Sequence, residues 1–316
     1  MAVLPPDPVF NIRAPDMGPV HSLCFHQDER LLAGTENGTV HLWDLQTNRS
    51  AHQLHVGSKA IISLSSTDEV LVTQEKGGIT KLWALTNSGY DTRTTIITNH
   101  PAFCRNELIQ DRGLVVCPKG ENEVSVFSLG GGEEALKLST TGPTQLGSVS
   151  CLKSADINGQ LYIMTGYESG DLLTWDLRVC KPINQEHLAD DCLMAVDYDP
   201  YTNRGVCAGP TDKIAVFAYQ KPTMEISKKF DITIKNAGIN CLKIRADQKV
   251  FASAGWDGRI RVFSWKSLRP LAVLTEHKQG GVMDLAYSNG KVSMWNAPIM
   301  AAAGMDCQIT LWDLYN

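Results

Sequence analysis

The chain has 316 residues, 43% of them apolar and 20% charged, with a net charge of −5, which supplies a sizeable core and excludes a disordered chain. No basic block marks nucleic acid as a main ligand, and the apolar stretch Ala297–Gly304 is far too short to span a membrane. The start, Met1–Pro8, carries three prolines and no cationic or apolar leader pattern, so a soluble intracellular chain is expected.

In chain order the first β-rich segment is PVFNIR, Pro8–Arg13. After it, a short β-branched run ending on an aromatic returns seven times: VHLWDL (Val40–Leu45), ITKLWAL (Ile79–Leu85), VSVFSL (Val124–Leu129), LLTWDL (Leu172–Leu177), IAVFAY (Ile214–Tyr219), IRVFSW (Ile260–Trp265) and ITLWDL (Ile309–Leu314). The key aromatics are Trp43, Trp83, Phe127, Trp175, Phe217, Phe263 and Trp312, at spacings of 40, 44, 48, 42, 46 and 49 by subtraction. That is the period of a four-stranded propeller blade. Upstream of each aromatic another strand ends in a tight turn of Asn, Asp or Gly, which makes a hairpin. Inner strands such as VHSLCF (Val20–Phe25) and INCLKI (Ile239–Ile244) precede the hairpins.

The seventh repeat stops after its third strand. The unassigned N-terminal segment, residues 8–13, is therefore expected to supply the fourth and remove an open edge. The fold expected is all-β: a seven-bladed WD-repeat β-propeller closed by the N-terminal strand, residues 1–316 forming one domain. Repeats 3 and 5 lack the Trp-Asp ending, and no repeat shows a full polar tetrad of His, Ser or Thr, Asp and Trp. Apolar packing is thus expected to carry the blades. Nine cysteines include no C-x-x-C pair, and none sits beside a histidine at ligand spacing; they read as small core residues rather than metal ligands. His187 and His277 occupy turns that lead into repeats, where a histidine is usually structural. No H-E-x-x-H, phosphate loop or Gly-x-Ser-x-Gly elbow is present, so neither catalysis nor a cofactor is expected.

Several segments together carry a resemblance along the whole chain. PPDPVF at the start, GYESGDLLTWD (Gly166–Asp176), FASAGWDGRIRVFSWKSLRPLAVLTEH (Phe251–His277) and AAAGMDCQITLWDLY (Ala301–Tyr315) resemble the family of guanine nucleotide-binding protein subunit beta-like protein 1, whose fungal counterpart is ASTRA-associated protein 1. The sixth repeat is the most specific match. The resemblance implies a non-enzymatic adaptor, cytoplasmic and nuclear, which works with the co-chaperone machinery that matures phosphatidylinositol-3-kinase-related kinases. A G-protein γ subunit is not an expected partner. Only about a dozen residues precede repeat 1 and no heptad is present. The chain is expected to be monomeric on its own.

A fold does not name a partner site, so individual residues must. Seven residues before each key aromatic lies the turn between second and third strands: Glu36, Lys76, Gly120, Glu168, Pro210, Trp256 and Met305. The two large apolar side chains fall in adjacent blades 6 and 7. Trp256 and Met305 form the candidate partner-binding rim, with Arg259 and Arg261 nearby supplying charge. Two other roles stay open: Trp256 as a wedge between blades, and the two arginines as solvated strand-face residues. Trp295 and Met294 stand in the polar connection Tyr287–Pro298, either as a handle or tucked back onto the blade. A rival function is substrate receptor of a cullin-type ubiquitin ligase, through Trp175, Asp176 and Arg178, which match a Trp-Asp-x-Arg docking element.

Overall fold

The computed structural model describes residues 6–86, 89–139, 146–220 and 225–315. Its strands form seven four-stranded antiparallel sheets, the blades of a seven-bladed β-propeller. In blade 6 the strands are Ile239–Ile244, Val250–Gly255, Ile260–Ser264 and Pro270–Leu274. The other blades repeat this order of inner, second, third and outer strand. Among the described residues the one helical element is a 3-10 turn, Gln110–Arg112.

The repeat works as the periodicity implies. All seven key aromatics are buried. In blades 1 to 6 the pairing of third and outer strands slips by one residue directly before that aromatic, as between Leu42 and Trp43 or Val262 and Phe263. Such a bulge adds twist at a fixed point of each blade. Blade 7 closes differently. Phe10–Ile12 pairs antiparallel with Ile309–Leu311, in the register Phe10↔Leu311, Asn11↔Thr310 and Ile12↔Ile309. The N-terminal strand is therefore the outer strand of the last blade, with Ile12 buried in the core.

The described chain falls into two compact units, one drawn from the stretches up to Glu75 and from Asn240 onward, the other Lys76–Ile239. In the first, one core gathers Ile12, Met17, Val20, Leu31, Trp43, Ile309 and Leu311. A second core there joins Val262, Leu274, Met300, Ala302 and Trp312. Asp284, on the inner strand of blade 7, accepts the Leu23 backbone N–H at 2.8 Å and the Cys241 thiol at 3.3 Å. One carboxylate thus ties three inner strands. In the second unit Val116, Val126, Tyr167 and Trp175 pack together, as do Leu172, Tyr198, Phe217 and Tyr219. Lys153 bridges Asp197 at 3.0 Å and Glu107 at 3.6 Å, linking inner strands of blades 3 to 5.

Two expectations need correction. Blade 7 does carry a complete polar chain. His277 Nδ1 donates to Asp306 Oδ1 at 2.9 Å, Nε2 meets Thr310 Oγ1 at 3.1 Å, and Trp312 Nε1 donates to that hydroxyl at 2.8 Å. The hydroxyl comes from the third strand, because Ala302 faces it from the second. Blade 4 keeps part of the chain, with Trp175 Nε1 donating to Thr165 Oγ1 at 2.9 Å. His187 is not a structural histidine: its side chain is 57% exposed, 3.6 Å from Asp171.

The cysteines are free thiols, five buried and four half-buried. Burial pushes the Cys117 and Cys207 thiols up to about 12, which keeps them protonated and inert. The outer strand of blade 3 is Glu134–Leu138. The rest of the long connection it opens lies partly outside the described residues, at 140–145.

Candidate functional site

Gly255 ends the second strand of blade 6, and Trp256 and Asp257 form the turn that follows. Trp256 is 46% exposed, so it does not wedge between blades as a buried packing residue. Its indole N–H donates to Asn240 Oδ1 at 2.7 Å. The Asn240 amide in turn donates to the Val282 carbonyl at 2.8 Å. That relay spends the only polar group of the indole inside the protein and leaves an apolar ring face outward. An aromatic held in one orientation loses little entropy when a partner covers it.

Met305 stands in the equivalent turn of blade 7 and is half-buried. The dipeptide Gly280-Gly281 runs between the two turns. A Cβ at Gly281 would come within 3.2 Å of the Trp256 backbone, and one at Gly280 within 2.7 Å of the Met305 Cβ. Met305 N–H donates to the Gly281 carbonyl at 3.0 Å. Two glycines therefore let the Trp256 and Met305 turns approach the same short segment.

The arginines separate. Arg259 is partly exposed and 3.7 Å from Asp257. Arg261 is buried and grips Asp257 through both guanidinium nitrogens, at 3.2 and 2.6 Å. It is neither a solvated strand residue nor a free charge for a partner. Burial works to raise the Asp257 carboxyl, but the hydrogen bond and charge of Arg261 outweigh it and hold it below the ordinary range. Arg261 thus acts on the turn that presents Trp256.

The rim position looks different in the other unit. Lys76, the counterpart of Trp256 in blade 2, sits over the ring of Phe103 at 4.2 Å. There the exposed aromatic is already covered by a cation. The second candidate cluster splits by depth. Trp175 is fully buried and Asp176 nearly so, while Arg178 reaches out with its side chain 72% exposed, 3.3 Å from Asp176.

The polar connection in blade 7 is strapped down rather than loose. Asp28 accepts the Asn289 N–H at 2.7 Å, Glu29 accepts the Ser293 N–H at 2.9 Å, and Asn48 donates to the Met294 sulfur at 2.9 Å. Trp295 packs against the core cluster that includes Ile12, while Met294 stays exposed. This strap has no signal in the periodicity, because its carboxylates lie in blade 1. Among the described residues no three His, Cys, Asp or Glu side chains are grouped as metal ligands.

Comparison with known proteins places this geometry. The family model described as "WD domain, G-beta repeat" matches residues 7–44, 229–264 and 268–313. The chain is 28% identical over 328 residues to mouse guanine nucleotide-binding protein subunit beta-like protein 1, covering 98% of this chain and 97% of that one. It is 23% identical to ASTRA-associated protein 1 of Schizosaccharomyces japonicus, covering 98% and 99%. Among solved structures, the β-propeller domain of Myceliophteria thermophila Cps50 (Swd1) superposes with a TM-score of 0.81 at 16% identity, covering 98% of this chain and 99% of that domain. That likeness is one of fold. The chain is a seven-bladed β-propeller with three segments that match the WD-repeat model, similar along its length to these beta-like and ASTRA-associated proteins.

Proposed function

We propose that the chain is a non-catalytic adaptor that binds a protein partner through the Trp256–Met305 rim. The observation that carries this reading is Trp256, half-exposed with its polar atom already bonded to Asn240. Large aromatics presented this way are the usual anchors of protein interfaces. The similarity to ASTRA-associated protein 1 supports a place beside the co-chaperone machinery that matures phosphatidylinositol-3-kinase-related kinases.

Affinity purification of the full chain from cells, followed by mass spectrometry, tests both parts. Co-chaperone subunits are expected in the eluate and are expected to be lost with Trp256→Ala. The same substitution should lower the melting temperature by less than about 2 °C, because a half-exposed ring contributes little to folding. Co-chaperone capture that survives Trp256→Ala would move the site elsewhere, and a large loss of melting temperature would return Trp256 to a packing role.

A second reading is supported by one feature, the exposed Arg178 beside a buried Trp-Asp pair. A ligase-adaptor subunit in the eluate that disappears with Arg178→Ala would support the substrate-receptor function.

A further inference from the structure

Next to Met305 in the chain, Asp306 and Cys307 line a surface cavity of about 650 Å³. Lys278 and Gln279 wall it just before Gly280. Arg13 closes it from the N-terminal side. The volume is that of a site for a side chain or a small ligand.

The cavity is built around a fixed cation. Gln308 is buried, and its Nε2 donates to the Glu276 carbonyl at 2.9 Å and to Asp306 Oδ2 at 2.5 Å. Those two acceptors dictate which way the amide points. Its oxygen then receives Arg13 Nε at 3.1 Å and Nη2 at 2.5 Å. The guanidinium is thus oriented by a neutral amide. Among the described residues it has no carboxylate partner, and neither has Lys278. Asp306 lines the same cavity, but its two oxygens are committed to His277 and Gln308. Glu276 is the one other acidic residue of the lining.

We infer that this cavity receives a carboxylate side chain from the partner segment whose apolar side chain lies on Trp256 and Met305. The inference rests on the rim reading of the proposed function and adds a charge requirement to it. An oriented guanidinium with one edge bonded presents its remaining N–H groups to an oxygen pair, the geometry in which arginine binds carboxylates most strongly. A singly charged group suits the lining better than a dianionic phosphate, because Glu276 and Asp306 formally balance Arg13 and Lys278, and only the oriented guanidinium edge favours an anion. The partner segment therefore carries Asp or Glu a few residues from a large apolar residue.

A random peptide display library panned on the full chain tests this. Peptides that pair an acidic with an apolar residue are expected to enrich. In the resynthesised winners, Asn or Gln in place of the acid should weaken binding about tenfold or more, the scale of a charge-assisted contact. The same exchange should make no difference on Arg13→Gln and a reduced one on Lys278→Gln, an exposed site whose change leaves the fold alone. Phosphoserine at the acidic position should bind no better. Peptides without an acidic preference, an acid effect undiminished on both variants, or tighter phosphoserine binding would each overturn the carboxylate site. Apolar capture that persists without acid preference would sink this inference alone. No enrichment, or capture indifferent to Trp256→Ala, would sink the rim reading with it.

Discussion

Blades 6 and 7 place an aspartate in the same tight turn and then answer its charge in different ways. In blade 6, Arg261 stands two residues before the key aromatic and meets Asp257 directly. In blade 7 the same position holds Thr310, and a buried histidine relays between hydroxyl and Asp306. The aromatics follow suit. Trp312 needs an acceptor for its indole N–H and finds Thr310; Phe263 has no such need and stacks on Phe251 at 4.7 Å between ring centroids. One strand geometry thus tolerates an arginine ion pair or a histidine–hydroxyl relay, provided that every polar atom in the set is matched. The outer strands differ as well: blade 6 takes its own from the adjoining chain, blade 7 from the opposite end of the sequence.

The contrast can be broken at four points. The largest effect is expected from a chain that begins at Met17, which removes the outer strand of blade 7. Loss of buried Ile12 alone should cost about 2–5 kcal/mol, and chemical denaturation should show more than that. Next comes Arg261→Ala, which strips the half-buried Asp257 of its two-point cation and leaves it only Arg259, 3.7 Å away. A loss of about 3–5 kcal/mol is expected, largely recovered when Asp257→Ala is added. Thr310→Val should cost about 1–3 kcal/mol, because Trp312 N–H and His277 Nε2 both lose a partner. Equal costs for the arginine and threonine changes would show that the two blades are matched by packing and not by polar chemistry.

The smallest effect is a pH dependence confined to blade 6. The folded Asp257 carboxyl is held low by Arg261, so it takes up its proton at lower pH than in the unfolded chain. Its contribution is complete above the ordinary carboxylate range, about pH 4, and is lost as the pH falls through the depressed value. The melting temperature of Arg261→Ala should show a smaller acid-induced fall over this range, since only Arg259 still holds the carboxyl low.

Much of this was legible in the residues. Seven aromatics at blade spacing gave the fold, and the missing fourth strand of the last repeat pointed to residues 8–13, of which Phe10–Ile12 pair. Strand alternation could not show that Arg261 is buried, since its partner lies four residues back across a turn. The polar chain of blade 7 escaped notice because its hydroxyl sits on the third strand, opposite an alanine. Trp256 stood out by position, but the Asn240 bond that fixes it spans two strands and has no pattern. Likewise Arg13 and Gln308 stand at opposite ends of the chain. What periodicity reports is which atoms are buried; which polar groups find each other depends on the register that tertiary packing sets.

Blade 7 also imposes an order on biosynthesis. Its outer strand, Phe10–Ile12, is synthesised about 300 residues before Ile309–Trp312, the strand it pairs with. At bacterial to eukaryotic elongation rates, the wait between them is roughly 15 to 60 s. For that interval Phe10 and Ile12 have no native strand beside them, and a nascent propeller carries an unmatched edge at each end. The step that ends this exposure is the pairing with the largest sequence separation among the described strands, and such non-local pairing is slow to form. A chaperone that shields Phe10–Ile12 during translation would protect a strand that cannot pair where it is made.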